Sequence, residues 1–351
     1  MPSLQKLYNQ FKLEINIKDN ITQALDKKHL KIINDAHNQL GNIDSFLKNF
    51  RDWHGQSDFF SPPQISLDHL RILGLKNFLK LVIKKILFFR SRASKRAFMD
   101  DLKILEISNA FKILKKNPVH LTPGCTSFFK FKGISTNNRW NRYAYISSKI
   151  INNQLMHNHK NHLDIGCYYG GLQSFLKKDF PESNFFMVDF SHQLLRSYLF
   201  LNQLFPESIH ILMNKNKNLS FKNLKNAFVY VPVNEFNLLK NVNFELITNI
   251  FSFGEMKKSS FLDYFLSNCF SNCKNIYLAN RFISAPFFEK TYDSDITVVD
   301  YLRLKSHKIK YLDIFPVGHY HVPNRLLFDT REDRPISSPY FEMILQNESW
   351  R

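Results

Sequence analysis

Short apolar runs alternate with helical patterns throughout the second half of this chain. The apolar runs have the length of buried strands, and the stretches between them repeat apolar positions every three or four residues. Strands are predicted at 162–166, 184–190, 226–233, 244–251 and 274–282, and helices at 170–180, 191–205 and 259–270. Such alternation forms right-handed crossover units, which build a parallel sheet with helices on both faces. We therefore predict an α/β fold with a doubly wound, mostly parallel sheet.

Three later segments are predicted to form antiparallel pieces at the sheet edge, at 301–307, 308–318 and 325–331. The first half of the chain has a helical pattern instead, beginning with Leu4, Leu7, Phe11 and Ile15. A further helix is predicted at 138–154 and runs into the first strand of the sheet. We place the domain boundary there, with a mainly helical domain at 1–137 and the sheet domain at 138–351.

The net charge of +18 is unevenly distributed along the chain. Residues 1–160 contain 27 Lys and Arg against 11 Asp and Glu, a net charge of +16, whereas residues 161–351 contain 21 against 19. We therefore expect the N-terminal half to contact an anionic partner, such as phosphate groups, an anionic membrane surface or nucleic acid.

The most basic helical pattern, at 73–96, allows two interpretations. Lys76, Lys80 and Lys84 share one face of the predicted helix, and apolar side chains occupy the rest. Such a helix can lie on an anionic membrane surface, where it would bring the protein to a lipid-linked substrate. It can equally pack on a core and leave its lysines in solvent.

The cysteines and the N-terminus indicate the compartment. The four cysteines include no CxxC pair and no zinc-site spacing, which fits a reduced compartment. The first residues lack the pattern of a signal peptide, and no run of about 18 uncharged apolar residues is present. We expect a cytoplasmic protein, with peripheral contact at the inner membrane as the alternative.

A glycine-rich turn follows the first predicted strand. In LDIGCYYGG, Gly166 and Gly170 come directly after the strand that contains Asp164, and Asp189 ends the next strand. A bare backbone there lets a cofactor approach the N–H groups at the start of the following helix. An acidic side chain at the position of Asp189 can accept hydrogen bonds from both hydroxyls of a ribose.

The spacing of the glycines favours S-adenosylmethionine over a dinucleotide. Dinucleotide sites follow G-x-G-x-x-G after the strand, and the glycines here do not. The order in this chain is D-x-G-x-x-x-G, which suits a nucleoside cofactor without a pyrophosphate.

Four segments carry a resemblance to a known family. LDIGCYYGGL resembles motif I of the class I S-adenosylmethionine-dependent methyltransferases. Together with VDFSHQLLRSYLFL, TNIFSFGEM and YLANRF, it is similar to the bacterial sugar O-methyltransferases associated with surface polysaccharide and lipopolysaccharide synthesis. The resemblance covers about 138–285 and implies a Rossmann-like fold. It departs at Cys167 and Tyr168, where the family has two glycines, and this leaves less room for the tail of the cofactor.

The resemblance implies roles for individual residues. Asp164, Gly166, Cys167, Tyr168 and Gly170 would surround the methionine part of S-adenosylmethionine. The remaining cofactor contacts would be Asp189 at the ribose, Phe190, Pro232, Val233 and Asn234 near the adenine, and Asn249 and Ser252 beside the methyl donor. From the residues alone, Asp189 could instead be a surface residue at a strand end, Phe190 a core residue, and Asn249 and Ser252 simple caps.

Methyl transfer to a hydroxyl needs a base, because the hydroxyl proton must be removed. Glu255 is the first candidate, since it follows the fourth strand of the motif region. His319 and His321 are the second. Alternatively, Glu255 occupies a first helical turn for electrostatic reasons, and the two histidines merely share one face of an edge strand. A metal bound by these histidines and Asp313 is a further possibility that we do not favour.

We therefore expect an S-adenosylmethionine-dependent O-methyltransferase acting on a sugar, whose acceptor is free, phosphorylated, nucleotide-linked or lipid-linked. An RNA methyltransferase is the main alternative, because the basic half could bind phosphates. However, the chain lacks an RNA-binding module and the Asn/Asp-Pro-Pro-aromatic signature of base methylation, so we do not expect nucleic acid as the partner. A catalytically degenerate scaffold protein is the third hypothesis.

Overall fold

The computed structural model describes residues 3–15, 92–119, 129–214, 223–284, 295–317 and 338–350, together with Phe221 and isolated positions between 70 and 86. The chain divides into two compact units. One contains 1–38, 150–315 and 331–351, and the other contains 39–149 and 316–330. These boundaries differ from the predicted boundary between 137 and 138, because the first residues belong with the sheet.

An eight-stranded sheet forms the centre of the first unit. In spatial order its strands are β5-β6-β4-β3-β7-β8-β10-β9. Their bounds are β3 Asn161–Ile165, β4 Asn184–Asp189, β5 Ile209–Leu212, β6 Ala227–Pro232, β7 Leu246–Ile250, β8 Asn275–Arg281, β9 Lys308–Ile314 and β10 Tyr340–Gln346. The strands from β3 to β8 pair in parallel, and β10 pairs antiparallel with both β8 and β9. The predicted doubly wound, mostly parallel sheet is confirmed.

The order of the strands reverses at β3, which has β4 on one side and β7 on the other. In sheets of this type, ligands bind beyond the carboxyl ends of the strands at such a switch point. The strand that lies there is the one that ends in the predicted glycine-rich turn.

Four helices connect or cover these strands. They are α5 Gly171–Asp179, α6 Ser191–Leu204, α7 Lys258–Phe265 and α8 Asn268–Ser271. The last two replace the single helix predicted at 259–270, because the chain turns at Leu266 and Ser267 and begins a new helix there. Short 3-10 segments follow β6 at 233–239, follow β7 at 253–255, and occupy 298–303.

Helix α1 (Leu4–Glu14) packs on the sheet unit. It begins at Ser3, whose side chain accepts a hydrogen bond from the Lys6 amide. Phe11 is fully buried, and its ring lies 5.8 Å from the ring of Tyr198 on α6. The side-chain amide of Asn214 donates to the carbonyl of Glu14 at 2.9 Å. These contacts make α1 a structural part of the unit that carries the site.

In its described residues, the second unit is mainly helical. It contains α2 Arg92–Ile107, α3 Ala110–Lys116, the hairpin strands β1 Phe129–Phe131 and β2 Ile134–Thr136, and most of α4 Asn138–Asn152. Trp140 of α4 donates its indole N–H to the carbonyl of Asn117, and Ser148 donates to the carbonyl of Ser108 at 2.8 Å. In the part of the chain that the structure describes, no helix is long and apolar enough to cross a membrane.

Candidate functional site

The turn after β3 is built so that its backbone stays bare. Gly166 has φ +80°, and its N–H donates to the carbonyl of Val188 on β4 at 2.8 Å. A Cβ at this position would overlap the side chain of Ser252. Gly166 is therefore required both by its conformation and by the close approach of the loop after β7.

Gly170 closes the same turn. Its φ is also +80°, its N–H donates to the carbonyl of Cys167 at 3.1 Å, and a Cβ there would lie 2.8 Å from Cδ1 of Leu201 on α6. Helix α5 begins at the next residue, so its first N–H groups face the crevice at the switch point. The predicted glycine-rich cradle is thus present as a turn between β3 and α5.

Tyr168 occupies a conformation that usually needs glycine. Its φ is +59°, which costs a residue with a side chain about 1–3 kcal/mol. Its N–H donates to Asp189 at 2.8 Å, and its carbonyl accepts from the Ser197 hydroxyl at 2.8 Å. The neighbouring Cys167 is buried, with its sulfur 3.8 Å from the Ser197 hydroxyl. The loop therefore keeps its shape here through bonds to β4 and α6 although both family glycines are replaced.

Asp189 lies at the end of β4, directly beside this turn. Its two carboxylate oxygens accept hydrogen bonds from the amides of Tyr168 and Phe190, each at 2.8 Å. Burial raises the pKa of Asp189 to about 6, against the opposing effect of these bonds and of the Arg196 charge. A carboxylate has about four acceptor positions. The side chain is thus fixed by the backbone and still able to accept bonds from a ligand.

Asp164 lies beneath the turn in a buried network that sequence reasoning did not identify. It accepts hydrogen bonds from the Gln173 side chain and from the Thr248 hydroxyl, both at 2.6 Å. His162 continues the network, with Nε2 at 2.9 Å from the Thr248 oxygen. Burial raises the pKa of Asp164 to about 7 and lowers that of His162 to about 3. Asp164 thus ties β3, β7 and α5 together under the cradle.

When Asp164 is ionised, the direction of these bonds is determined. A carboxylate only accepts, so the single proton of the Thr248 hydroxyl points to Asp164. His162 must then donate from Nε2. Its Nδ1 has no hydrogen-bond partner in the described part of the chain, which is less costly for an acceptor than for a donor. With the neutral Nε2–H tautomer, the Thr248 hydroxyl and the His162 ring each donate to an acceptor.

Asn249 and Ser252 form a second network at the end of β7. The Asn249 amide nitrogen donates to the carbonyl of Ile165, at 2.8 Å, and to the Ser252 hydroxyl. Its oxygen accepts from the Phe253 amide and from the Asn280 side chain, both at 3.0 Å. Asn249 is fully buried and uses all its bonding positions. Its contacts therefore hold the loop after β7 against β3 and β8, while its contact with a methyl donor stays a prediction.

The residues predicted near the adenine follow β4 and β6. The Phe190 ring lies parallel to the His192 ring, with 5.8 Å between centres, and Phe190 caps α6. Pro232 is paired with Asp189 across the two strands, so Val233 and Asn234 follow at the same edge of the sheet. The structure thus brings Phe190, Val233 and Asp189 to neighbouring strand ends.

Glu255 ends the short 3-10 segment after β7, at the same edge of the sheet. Burial raises the pKa of its carboxyl to about 7, and the charge of Arg281 opposes this shift. Among the described residues, the Glu255 carboxyl has no hydrogen-bond or ion-pair partner. The carboxyl is thus partly buried and not engaged by a described protein group, two properties expected of a general base.

The second candidate base cannot be compared with it, because His319 and His321 lie outside the described residues. Asp313, the suggested acidic partner for a metal, is on the exposed edge strand β9, where it accepts from the Ile314 amide at 2.7 Å. Within the described ranges, no three His, Cys, Asp or Glu side chains are grouped as a metal site would require.

No family model and no curated protein matches this chain. Among solved structures it is similar to methyltransferases. One, from Aquifex aeolicus, is 11% identical, covers 57% of this chain and 89% of its own, and has a TM-score of 0.35. Another, from Clostridium acetobutylicum, is 13% identical, with 58% and 89% covered and a TM-score of 0.35. Both are S-adenosylmethionine-dependent methyltransferases.

A third similar structure is coclaurine N-methyltransferase bound to N-methylheliamine and S-adenosylhomocysteine. It is 14% identical, covers 71% of this chain and 76% of its own, and has a TM-score of 0.36. A likeness of this degree carries no information about substrate or mechanism. The chemistry of this chain has to come from the residues at its own switch point.

Proposed function

We propose that this protein is an S-adenosylmethionine-dependent methyltransferase that acts on a sugar hydroxyl. The proposal rests on one observation: the carboxylate of Asp189 lies beside a turn in which position 166 has to be glycine. A fixed carboxylate accepts hydrogen bonds from the two hydroxyls of a ribose, and the bare turn admits the rest of the nucleoside cofactor.

The cofactor would be held by three parts of the crevice. Asp189 would bind the ribose, the turn from Gly166 to Gly170 would surround the methionine part, and Phe190 with Val233 would border the adenine. The cofactor supplies an activated methyl group on a sulfonium. The turn and the carboxylate align this group, and Asp164 beneath the turn holds the loop in place through Gln173 and Thr248.

Glu255 is the proposed general base. S-adenosylmethionine, when bound, would supply its methyl group to the acceptor oxygen and leave as S-adenosylhomocysteine. The hydroxyl proton goes to the Glu255 carboxylate, which is neutralised. A pKa of about 7 suits this task, because the group is partly ionised at neutral pH and still basic enough to accept the proton.

Three features support a sugar acceptor. The TNIFSFGEM and YLANRF segments resemble those of sugar O-methyltransferases, and their residues contact one another, since Asn280 bonds to Asn249 at 3.0 Å. The third feature is the free acid at the mouth of the crevice, because methylation of an alcohol requires removal of a proton.

The experiment is transfer of a labelled methyl group to a panel of monosaccharides, sugar phosphates and nucleotide sugars. We expect Glu255→Gln to lower the rate about 10²–10⁴-fold while the affinity for S-adenosylhomocysteine is kept. Asp263→Asn is the matched control, because Asp263 is an exposed acid on nearby α7. An unchanged rate in Glu255→Gln would remove this residue from the chemistry.

RNA is the alternative acceptor, favoured by the net charge of +16 in the first 160 residues. The same assay with total RNA as acceptor separates the two hypotheses. Methyl transfer to RNA, together with RNA binding that persists at about 0.2 M salt, would replace the sugar proposal.

A further inference from the structure

Arg281 is the last residue of β8, at the edge of the sheet where the crevice lies. Its guanidinium is only partly engaged by the described protein groups. Its Nε donates to the Tyr340 hydroxyl at 3.1 Å, and its guanidinium carbon lies 5.3 Å from the centre of that ring. Tyr340 is the partner of Arg281 in the pairing of β8 with β10. Among the described residues, no hydrogen-bond partner contacts its two Nη groups.

Arg281 shares this edge with Glu255 but does not pair with it. Burial raises the pKa of the Glu255 carboxyl, and the charge of Arg281 opposes this shift. Within the described part of the chain they form no ion pair. Gly254, the residue before Glu255, lies against Arg281, since a Cβ added to Gly254 would be 3.7 Å from Cβ of Arg281. The loop that carries Glu255 therefore packs on the stem of Arg281.

Arg281 is half-buried, and its two Nη groups are left as donors for a ligand in the crevice. We propose that Arg281 binds an anionic group, a carboxylate or a phosphate, on the acceptor whose hydroxyl is methylated. The inference rests on the proposed function and narrows its substrate class to acidic sugars. The planar guanidinium can donate two parallel hydrogen bonds to the oxygens of a carboxylate or a phosphate. Strand β8 and the Tyr340 ring hold it in position.

Arg281 and Glu255 contact different groups of the acceptor. The anion of the acceptor takes hydrogen bonds from the Nη groups, and the acceptor hydroxyl gives its proton to Glu255. A neutral sugar would leave the Nη groups without a partner, which lowers its affinity relative to a charged analogue.

The test is calorimetric titration of the full chain, saturated with S-adenosylhomocysteine, with glucose, glucuronate, glucose 1-phosphate and glucose 6-phosphate. At least one anionic sugar is expected to bind about 10-fold or more tightly than glucose. Glucuronate and the phosphates distinguish the two sources of negative charge. Arg281→Gln removes the preference, and Arg281→Lys keeps only part of it because a lysine lacks the planar guanidinium. Arg303→Gln is the control, since Arg303 is half-exposed and paired with Asp300.

Two results would overturn the inference: no anionic sugar preferred over glucose, or the same preference in Arg281→Gln. Both results are interpreted only for protein that has been shown to bind S-adenosylhomocysteine. If the protein is folded and does not bind S-adenosylhomocysteine, the proposed function fails first, and the two failures are thereby distinguished.

A different observation concerns the basic segment 73–96. Every described position between 70 and 86 is helical. Leu75, Leu79, Ile83 and Ile86 recur every three or four residues and so share one face. Their exposed fractions are 66, 51, 55 and 51%. The interpretation of this segment as a core-packing helix therefore does not hold for these four residues, which we call the apolar stripe.

The charge of the segment indicates what covers the apolar stripe. Residues 73–96 contain eight Lys and Arg and no Asp or Glu, and the described Lys76 and Lys80 are exposed beside the stripe. Two copies of so basic a surface repel each other. An anionic bilayer offers negative headgroups to the lysines and apolar chains to the stripe. We infer that the apolar stripe lies on an anionic membrane surface, independently of the proposed function.

Vesicle flotation of the full chain tests this second inference. Vesicles with about a third phosphatidylglycerol are expected to bind it, and pure phosphatidylcholine vesicles only weakly. Leu79→Gln with Ile83→Gln should abolish flotation, and neutralising Lys76 or Lys80 should weaken it about 5-fold each. Ile107→Gln is the matched control, because Ile107 is 85% exposed elsewhere in the same unit.

Absence of flotation, or equal binding to neutral vesicles, would overturn the inference. So would unchanged flotation in the Leu79→Gln and Ile83→Gln double variant. A dimer in solution that this variant dissociates would assign the apolar stripe to a second copy of the chain instead.

Discussion

At the scale of single residues, the site depends on a glycine whose two constraints can be separated. Gly166 and Gly133 have nearly the same φ, +80° and +79°. A Cβ at Gly166 would overlap Ser252, whereas a Cβ at Gly133 would meet nothing within 4 Å. An alanine at position 133 therefore reports the cost of the backbone conformation alone. An alanine at position 166 reports that cost together with the collision with Ser252.

We predict that Gly166→Ala destabilises the protein more than Gly133→Ala and abolishes binding of S-adenosylhomocysteine. The conformational part is about 1–2 kcal/mol in both variants. Ser252→Gly in the Gly166→Ala background should recover part of the excess, because it removes the atoms that collide. Urea unfolding of the three variants and the unmodified protein checks this. Equal destabilisation by the two alanines would contradict the close approach of the β7 loop.

The raised pKa of Glu255 makes a prediction about pH. Because its folded pKa is about 7, the carboxylate form is scarce below that pH and dominant above it. At saturating S-adenosylmethionine, kcat should therefore rise as the pH increases through about 7 and then level off. Glu255→Gln should lose this rise along with most of the activity.

Asp164 and Asp189 titrate near the same range, with pKa values of about 7 and 6. The affinity for S-adenosylhomocysteine, measured over the same pH range, serves as the control for them. A rise in kcat that persists in Glu255→Gln would assign the base to another group.

At the scale of elements, the glycine-rich turn and every parallel strand except β5 were predicted, because their signals are local. Strand β10 was not predicted, because the charged residue Glu342 interrupts its otherwise mostly apolar sequence, YFEMILQ. Its Glu342 is fully buried and accepts from the hydroxyls of Tyr277, at 2.9 Å, and Tyr311, at 3.0 Å. Those partners come from strands 65 and 31 positions away in sequence, so no local pattern reveals them.

Helix α1 supplies a prediction at this scale. Phe11 is fully buried on α6, while Leu13 in the same helix is 88% exposed. Phe11→Ala should cost about 3–5 kcal/mol of unfolding free energy, because it leaves a cavity against Tyr198. Leu13→Ala should change it by less than about 0.5 kcal/mol. If denaturant unfolding shows the two variants to be alike, α1 is not packed on the sheet unit.

At the scale of the whole molecule, sequence spacing predicted which residues meet at the switch point better than it predicted the contacts that each of them makes. Asp164 and Asn249 were expected to contact the cofactor, and the structure shows that both make buried hydrogen bonds to neighbouring side chains, beneath the glycine-rich turn and at the end of β7. The partners Gln173, Thr248 and Asn280 were missed because only the order of strands brings them together. Asp189 was placed correctly at the crevice since it ends the strand adjacent to the glycine-rich turn.

The central claim is that this crevice binds the nucleoside of S-adenosylmethionine through Asp189. Calorimetric titration of the full chain with S-adenosylhomocysteine tests it most directly. We predict saturable one-to-one binding that Asp189→Ala weakens by about 1.5–3 kcal/mol, or about 10- to 150-fold, because two hydrogen bonds to a buried carboxylate are lost. No binding by the folded protein, or equal affinity in Asp189→Ala, would contradict the claim.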